Sequence, residues 1–201
     1  MIAKDSGGGS FEQAPVGTHV ARCYKLIDIG TTMQEFQGEA KKRHQIILGW
    51  ELPNELMTSG EFAGQPFTAS AFYTLSLHEK SNLRHILKNW RGRDFTEEEL
   101  KGFDLKNILG KPCMVSITHN DKGRSEVGGV IALPKGMTVP DAVNPPVYFS
   151  LADFDQSAFD AFSEKMQALT AKSDEYKALS GKPAKQAEPA GEVAFDDDIP
   201  F

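Results

Sequence analysis

Five stretches of the chain are rich in apolar and β-branched residues, and glycine, proline or polar loops bound each of them. Such stretches are typical of β-strands, and in the third of them apolar and polar positions alternate. One face of that strand carries alanines, leucines and Tyr73, whereas the other carries serine, threonines and Phe72. The pattern predicts strands over residues 15–30, 44–52, 66–78, 111–120 and 124–134.

The period of the pattern changes between the third and the fourth strand. Four apolar residues recur there at helical spacing and define one helix face: Leu83, Ile86, Leu87 and Trp90. A short second helix is predicted next, because Thr96 and Glu99 have the spacing of a capping box. Three strands, a helical insert and two strands fit a five-stranded Greek-key barrel of the OB type. A β-sandwich would explain the strands but gives the helical insert no place.

Residues 31–43 are polar, contain a glycine and are predicted to form a loop between the first two strands. Residues 153–169 are predicted to form an amphipathic helix that packs on the barrel or on another copy in a homodimer. The chain then divides into five parts: a flexible arm (1–14), an OB-fold domain (15–150), a C-terminal helical segment (151–179), a disordered linker (180–194) and an acidic tip (195–201).

Charge is distributed unevenly along the 201 residues, which carry a formal net charge of −6. Residues 15–135 contain 16 Lys and Arg against 14 Asp and Glu, whereas residues 136–201 contain 5 against 12. A faintly basic body with an acidic appendage points to a body that binds a polyanion. No apolar run approaches the length of a membrane span, and the N-terminus has no signal-peptide core. We therefore expect a cytoplasmic protein with no membrane partner.

Candidate nucleic-acid contacts lie on the second and third strands and the loop before them. Phe72 stands on an otherwise polar strand face, where an aromatic ring can stack on nucleobases; the alternative is that the helix or the N-terminal arm covers it. Lys41, Lys42 and Arg43 enter the second strand beside the loop that contains Phe36. This arrangement fits a groove that follows phosphates, although a charge run is more often a solvated loop end.

Three further cations of the predicted helix, Arg84, Lys88 and Arg91, lie opposite its apolar stripe. They are either a second phosphate path or the solvated face of the helix, and the second interpretation is the more usual one. Cys23 and Cys113 each stand alone in an apolar stretch, which predicts buried free thiols rather than a disulfide or a metal site.

The sequence offers no catalytic motif. The five histidines lack metal-binding spacing, and neither a P-loop nor a nucleophile-elbow motif is present. Asp196 to Asp198 form the one acidic cluster near a chain end, and a mobile chain end is a poor cage for a divalent ion. We therefore expect no enzymatic activity, no cofactor and no bound metal.

Two sets of residues carry a resemblance to known families. The terminal DDDIPF is similar to the acidic tip of bacterial single-stranded-DNA-binding proteins, and a polar linker precedes it as in those proteins. The stretches GTHVARCYKLIDIG, LGWELP, YTLSLHEKSNLRHILKNWRGRDFTEEEL and FDLKNILGKPC resemble bacteriophage single-stranded-DNA-binding proteins and their prophage relatives. The second resemblance covers about residues 11–177.

The resemblance implies an OB fold, sequence-independent binding of single-stranded DNA, and a tail that recruits host replication, recombination and repair proteins in an infected or lysogenic bacterial cell. Physical chemistry agrees: the aspartates would steer the tip to a basic rim, and the apolar residues with a terminal carboxylate would fill a pocket beside a Lys or Arg. The residues assigned to this protein contact are Asp196, Asp197, Asp198, Ile199, Pro200 and Phe201.

Two other functions remain open on the sequence. The first is an OB-fold adaptor that binds proteins and no nucleic acid, with the tip as its main contact. The second is a metal-dependent phage nuclease, which would need a set of carboxylates that the sequence does not display.

Overall fold

The computed structural model describes residues 12–36 and 39–180, and within them six strands form one sheet accompanied by short helices. The strands are β1 (Gly17–Phe36), β2 (Glu39–Leu56), β3 (Pro66–Thr74), β4 (Pro112–His119), β5 (Ser125–Ile131) and β6 (Val147–Phe149). The helices are α1 (Asn82–Arg91), α2 (Glu97–Lys101), α3 (Gln156–Asp160), α4 (Glu164–Thr170) and α5 (Asp174–Ser180), with a 3₁₀ turn at Leu105–Ile108.

The long strand β1 is the centre of the sheet and pairs with three other strands. The order is β3-β2-β1-β4-β5, with each of these pairs antiparallel, and β6 pairs in parallel with the middle of β1. The register between β1 and β2 shifts twice, between Cys23 and Lys25 and between Asp28 and Gly30. Extra residues of this kind bend a strand. β1 pairs with β4 along its first part and with β2 along most of its length.

The predicted class, mainly β with helices between the third and the fourth strand, is confirmed. The predicted loop at residues 31–43 is wrong, because β1 and β2 continue as a two-stranded ribbon formed by residues 31–36 and 39–44. The side chains near its end are largely exposed. A ribbon that extends past the core has no face that must be apolar, so its sequence lacks the alternation that reveals a strand.

The main core lies between the sheet and α1. Trp50 is fully buried, and its ring lies 6.4 Å from that of Tyr73 and 6.3 Å from that of Trp90, measured between centroids. α1 buries Leu83, Leu87 and Trp90, as their helical spacing predicts. The two edge strands, β3 and β5, approach each other without pairing, and α1 contacts both of them.

A short N-terminal strap, the described residues before β1, joins two hairpins at one end of the sheet. The carboxylate of Glu12 accepts hydrogen bonds from the backbone N–H and the hydroxyl of Thr58, at 2.8 and 3.0 Å. The buried Ala14 accepts a hydrogen bond from His119 through its carbonyl oxygen, at 2.8 Å. These last residues of the predicted arm are therefore held in place, whereas residues 1–11 lie outside the described part of the chain.

Arg22 and Glu51 lie opposite each other on β1 and β2 and hold the connection that leads to β6. Arg22 donates a hydrogen bond to the carbonyl oxygen of Pro140 at 3.0 Å. The fully buried carboxylate of Glu51 accepts hydrogen bonds from the backbone N–H groups of Val143 and Asn144, at 2.9 and 2.7 Å. Because these donors satisfy it, the buried Glu51 fixes the path of the chain into β6.

The C-terminal segment packs on the side of β1 and β2 that faces away from the main core. The predicted single helix over residues 153–169 is instead two helices, because Asp155 caps the start of α3 and Ser163 caps the start of α4. Both helices still contribute to one apolar cluster. Its buried members are Ile27, Ile29, Ile47, Phe149, Leu151 and Phe159.

Cys23 and Cys113 are free and buried, as predicted, and burial raises the pKa of the Cys23 thiol to about 12. Among the described residues, no helix is both long enough and apolar enough to cross a membrane.

Candidate nucleic-acid interface

The outer face of β3 carries an accessible aromatic ring. Register pairs place Phe72 opposite Ile47 and Thr74 opposite Gln45, on the side away from the main core. Ile47 is buried beneath the C-terminal segment, whereas 54% of Phe72 is exposed. The alternative that the helix or the N-terminal arm covers Phe72 therefore does not hold for the described residues.

Phe72 lines an open depression of about 350 Å³ where β2 and β3 meet the start of α1. The other side chains around it supply cations, amides and hydroxyls rather than a continuous apolar surface. Stacking needs one flat ring, and the remaining polar groups suit phosphates and base edges. The lining residues are Arg43, Gln45, Phe72, Tyr73, Thr74, Ser76, His78, Lys80, Ser81 and Asn82.

Two of these cations are not paired with a carboxylate in the part of the chain that the structure describes. Within the described residues, Arg43 and Lys80 have no carboxylate partner within ion-pair distance, and both are exposed. The neighbours of Arg43 differ, because Lys41 pairs with Glu39 and Lys42 donates a hydrogen bond to Asp174 at 2.6 Å. A free guanidinium beside an exposed ring is the pairing that single-strand binding requires.

The ribbon separates the predicted basic run onto two faces. Thr32 lies opposite Arg43 and Gln34 opposite Lys41, so the alternation of β2 puts Lys41 and Arg43 on one face and Lys42 on the other. The backbone of Phe36 pairs with Glu39 at the end of the ribbon. The side chain of Phe36 and the whole acidic tip, residues 195–201, lie outside the part of the chain that the structure describes.

The three predicted helix cations have partners within the protein. Arg84 and Lys88 both contact the carboxylate of Asp94, at 3.2 and 2.8 Å, and the hydrogen bond from Lys88 is the main cause that lowers the pKa of Asp94. Arg91 pairs with Glu99. These residues do not line the depression at Phe72, so the structure does not bring them together with Arg43.

Arg91 has a structural position. It is largely buried, and its guanidinium lies 4.5 Å from the ring centre of Phe95 and 4.9 Å from that of Phe103. Hydrogen bonds, with that from Arg93 as the largest contribution, lower the pKa of Glu99 to about 2. These contacts hold α2 against α1, which favours the structural interpretation of Arg91 over a phosphate contact.

A polar clasp, formed by Asp28, Thr31, His44 and Glu175, fixes α5 to the base of the ribbon. One carboxylate oxygen of Glu175 accepts from the Thr31 backbone N–H, and the other accepts from the Thr31 hydroxyl, both at 2.6 Å. His44 bridges two carboxylates: its Nε2 lies 2.6 Å from Asp28 and its Nδ1 3.4 Å from Glu175. The ribbon is therefore braced on the side opposite to Arg43.

Gly30 makes this close approach possible. Its φ is +80°, and a Cβ atom at this position would lie 2.6 Å from Cβ of Ser173 and 2.7 Å from a carboxylate oxygen of Glu175. Both the backbone conformation and the space exclude a larger side chain.

The contacts of the clasp shift the pKa of His44 and the pKa of Glu175 in opposite directions. The hydrogen bond to Asp28 raises the pKa of His44, although partial burial opposes this shift. Burial alone would raise the pKa of Glu175, but the hydrogen bonds from Thr31 and the nearby His44 outweigh it and leave the pKa lowered. The two carboxylates therefore favour the protonated form of His44 relative to a histidine in solvent.

Sequence patterns missed two parts of this site. Gln45, His78, Lys80 and Asn82 join the depression only through the fold, although a polar run directly before a helix is a usual place for such groups. The clasp joins Thr31 to Glu175, which are 144 positions apart, and no local pattern carries that contact.

The chain matches no protein-family model, and no curated protein matches it significantly. Among the residues that the structure describes, no group of three or more His, Cys, Asp or Glu is arranged to hold a metal ion. The function is therefore inferred from the chemistry of the depression and its surroundings.

The clasp predicts a specific pH dependence of stability. Because folding raises the pKa of His44, its stabilisation is complete below its unfolded-state pKa of about 6.5 and is lost as the pH rises through the folded-state pKa. As the pH rises above about 6.5, the free energy of unfolding of the wild type should fall more steeply than that of His44→Gln. Urea unfolding at each pH measures this difference.

His85→Gln is the matched control, because His85 is exposed on α1. It should keep the wild-type pH slope. Equal slopes for the wild type and His44→Gln would show that the clasp does not contribute.

Proposed function

We propose that this protein binds single-stranded DNA without sequence preference and protects it during phage DNA replication, recombination or repair in the cytoplasm of a bacterial host. It acts in this proposal as a binding protein without catalytic activity or cofactor. The observation that carries the proposal is the exposed ring of Phe72 in one depression with Arg43 and Lys80, which have no carboxylate partner among residues 12–36 and 39–180. Stacking and charge neutralisation together hold unpaired bases without reading their sequence.

We also propose that the barrel is of the OB type. The strand order β3-β2-β1-β4-β5, the long bent β1 and the helix between β3 and β4 support this topology. The sheet is not closed: β3 and β5 approach each other without pairing, and α1 contacts both of them. This is compatible with the proposal, because an OB barrel can be partly open. In this fold family the face of the second and third strands binds oligonucleotides, which is the face that carries Phe72.

The acidic tip is proposed to recruit host replication, recombination and repair proteins. Its aspartates favour a basic surface, and Ile199, Pro200 and Phe201 supply apolar side chains for a pocket in the partner. A tether that keeps the tip near the bound strand raises the effective concentration of the partner there. The tip is also compatible with an adaptor that binds only proteins. Titration with single-stranded DNA distinguishes a DNA-binding protein from such an adaptor.

Phe72→Ala should weaken the binding of oligo-dT by about 5- to 150-fold, because base stacking contributes about 1–3 kcal/mol per base. A fluorescence titration at low salt measures the affinity. Phe62→Ala is the matched control, since Phe62 is 48% exposed but does not line the depression. If the wild type does not bind oligo-dT, the adaptor function is favoured. If a folded Phe72→Ala variant binds oligo-dT with unchanged affinity, Phe72 does not stack on a base.

Arg43→Ala should make the salt dependence of oligo-dT binding shallower. Each phosphate contact to a single strand contributes about −0.7 to the slope of log affinity against log salt concentration, so the loss of one contact reduces the slope by about 0.7. Lys42→Ala should change the slope less, because Lys42 lies on the other face of the ribbon and is bonded to Asp174. An equal effect of the two substitutions would contradict the assignment of Arg43.

Removal of residues 195–201 should abolish the capture of host proteins from a bacterial extract while oligo-dT binding persists. A variant with the same seven residues in scrambled order keeps the charge and removes the motif. If the scrambled variant captures the same proteins as the wild type, the tip acts only through its charge and the proposed recognition fails.

A further inference from the structure

A second groove lies on the other side of the connection between β3 and α1. It consists of two adjoining depressions of about 200 and 360 Å³, and Leu75, Phe103 and Leu105 line both of them. Leu75 and Leu100 are 42% and 38% exposed at its surface. The groove is therefore an accessible apolar surface that the interface at Phe72 does not include.

The second groove continues the depression at Phe72. Ser76 lines both the larger part of the groove and the depression, so the two are separated only by the chain that leaves β3. Phe72 and Leu75 are three residues apart, which is about 10 Å along an extended chain. A polymer that lies across Phe72 thus meets the second groove within a short distance.

One exposed aromatic ring in this groove has a cation beside it. Tyr148 of β6 pairs with Leu26 of β1, is 37% exposed and lines the smaller depression. Nζ of Lys106 lies 4.2 Å from the centre of the Tyr148 ring, and the Lys106 side chain is exposed. A flat ring with a mobile cation is again the combination that binds a base and its phosphate.

The carboxylates of this groove are already engaged. Asp28 is 2.6 Å from His44 and accepts a hydrogen bond from the Leu151 backbone N–H, and Asp104 accepts one from the Lys106 backbone N–H at 2.8 Å. Their charge still opposes phosphates but is partly compensated by these donors. Bases that face the groove, with phosphates towards Lys106, are therefore favoured over phosphates inside it.

From these observations we infer that the second groove is a further subsite for the same single strand, with Tyr148 stacking on a base and Lys106 contacting a phosphate. The inference rests on the proposed function and states where the bound single-stranded DNA continues beyond Phe72. It requires that the bound DNA crosses the β3–α1 connection at Leu75 and Ser76.

Oligomers of two lengths test the inference. OB domains occupy about 4–16 nucleotides, so oligo-dT of about 4 nucleotides can fill the depression at Phe72 alone and oligo-dT of about 16 nucleotides can reach both subsites. Tyr148→Ala should weaken binding of the long oligomer about 5-fold or more and leave the short one unchanged. Tyr148→Phe keeps the ring and should bind both lengths like the wild type.

The outcomes separate the inference from the proposed function. If Phe72→Ala weakens both oligomers while a folded Tyr148→Ala binds both like the wild type, the second subsite is wrong and the proposed function stands. If the wild type binds neither oligomer, both fail. Lys106→Ala should reduce the salt slope of the long oligomer alone, and an unchanged slope contradicts the phosphate contact.

Crosslinking provides a measurement that does not depend on the variants. The wild-type protein is irradiated with a long oligomer that carries a photoreactive thymine analogue, and mass spectrometry identifies the attached peptides. Crosslinks to peptides with Tyr148 as well as Phe72 support the inference. Crosslinks confined to the Phe72 peptide overturn it, even where Tyr148→Ala fails to fold.

Discussion

The register between β1 and β2 is the constraint on which the rest of the molecule depends. It places Leu26 beside Leu48 in the main core and Ile27 beside Ile47 under the C-terminal segment, and through β3 it sets Phe72 on the outer face. Side chains alternate with a period of two, so a slip of one residue would exchange the two faces. Burial on both sides of β2 makes such a slip costly, and this fixes the exposure of Phe72.

The net charge of −6 comes mainly from residues 136–201, whereas residues 15–135 contain 16 Lys and Arg against 14 Asp and Glu. Several acidic groups of the described residues are also paired or buried. Asp94 and Glu99 are paired with helix cations, Glu51 is buried under backbone donors, and Asp174 and Glu175 are used to attach α5. Arg43 and Lys80, by contrast, have no carboxylate partner among the described residues that surround the depression. Net charge is therefore a poor guide to the binding face.

The sequence predicted the parts of the fold that local patterns encode. Alternation in β3 placed Phe72 on the polar face of the strand but left open whether its ring is covered, and helical spacing gave the buried face of α1. It did not reveal the ribbon, whose solvated strands lack alternation, or the break between α3 and α4, where Ser163 caps a new helix inside a continuous apolar period. The depression at Phe72 joins two strands and the start of a helix, so only its central ring and Arg43 were predictable.

The C-terminal segment determines which part of the sheet remains accessible. By covering Ile27, Ile29 and Ile47, it removes the outer face of β1 and part of β2 from contact and leaves β3 as the open border. In the proposed function, single-stranded DNA that stacks on Phe72 would follow this open border, because the C-terminal segment covers the neighbouring face of the sheet. The same segment also holds the ribbon, which carries Arg43, through the hydrogen bonds between Glu175 and Thr31. One packed segment therefore both covers part of the outer sheet face and supports the ribbon beside the open part.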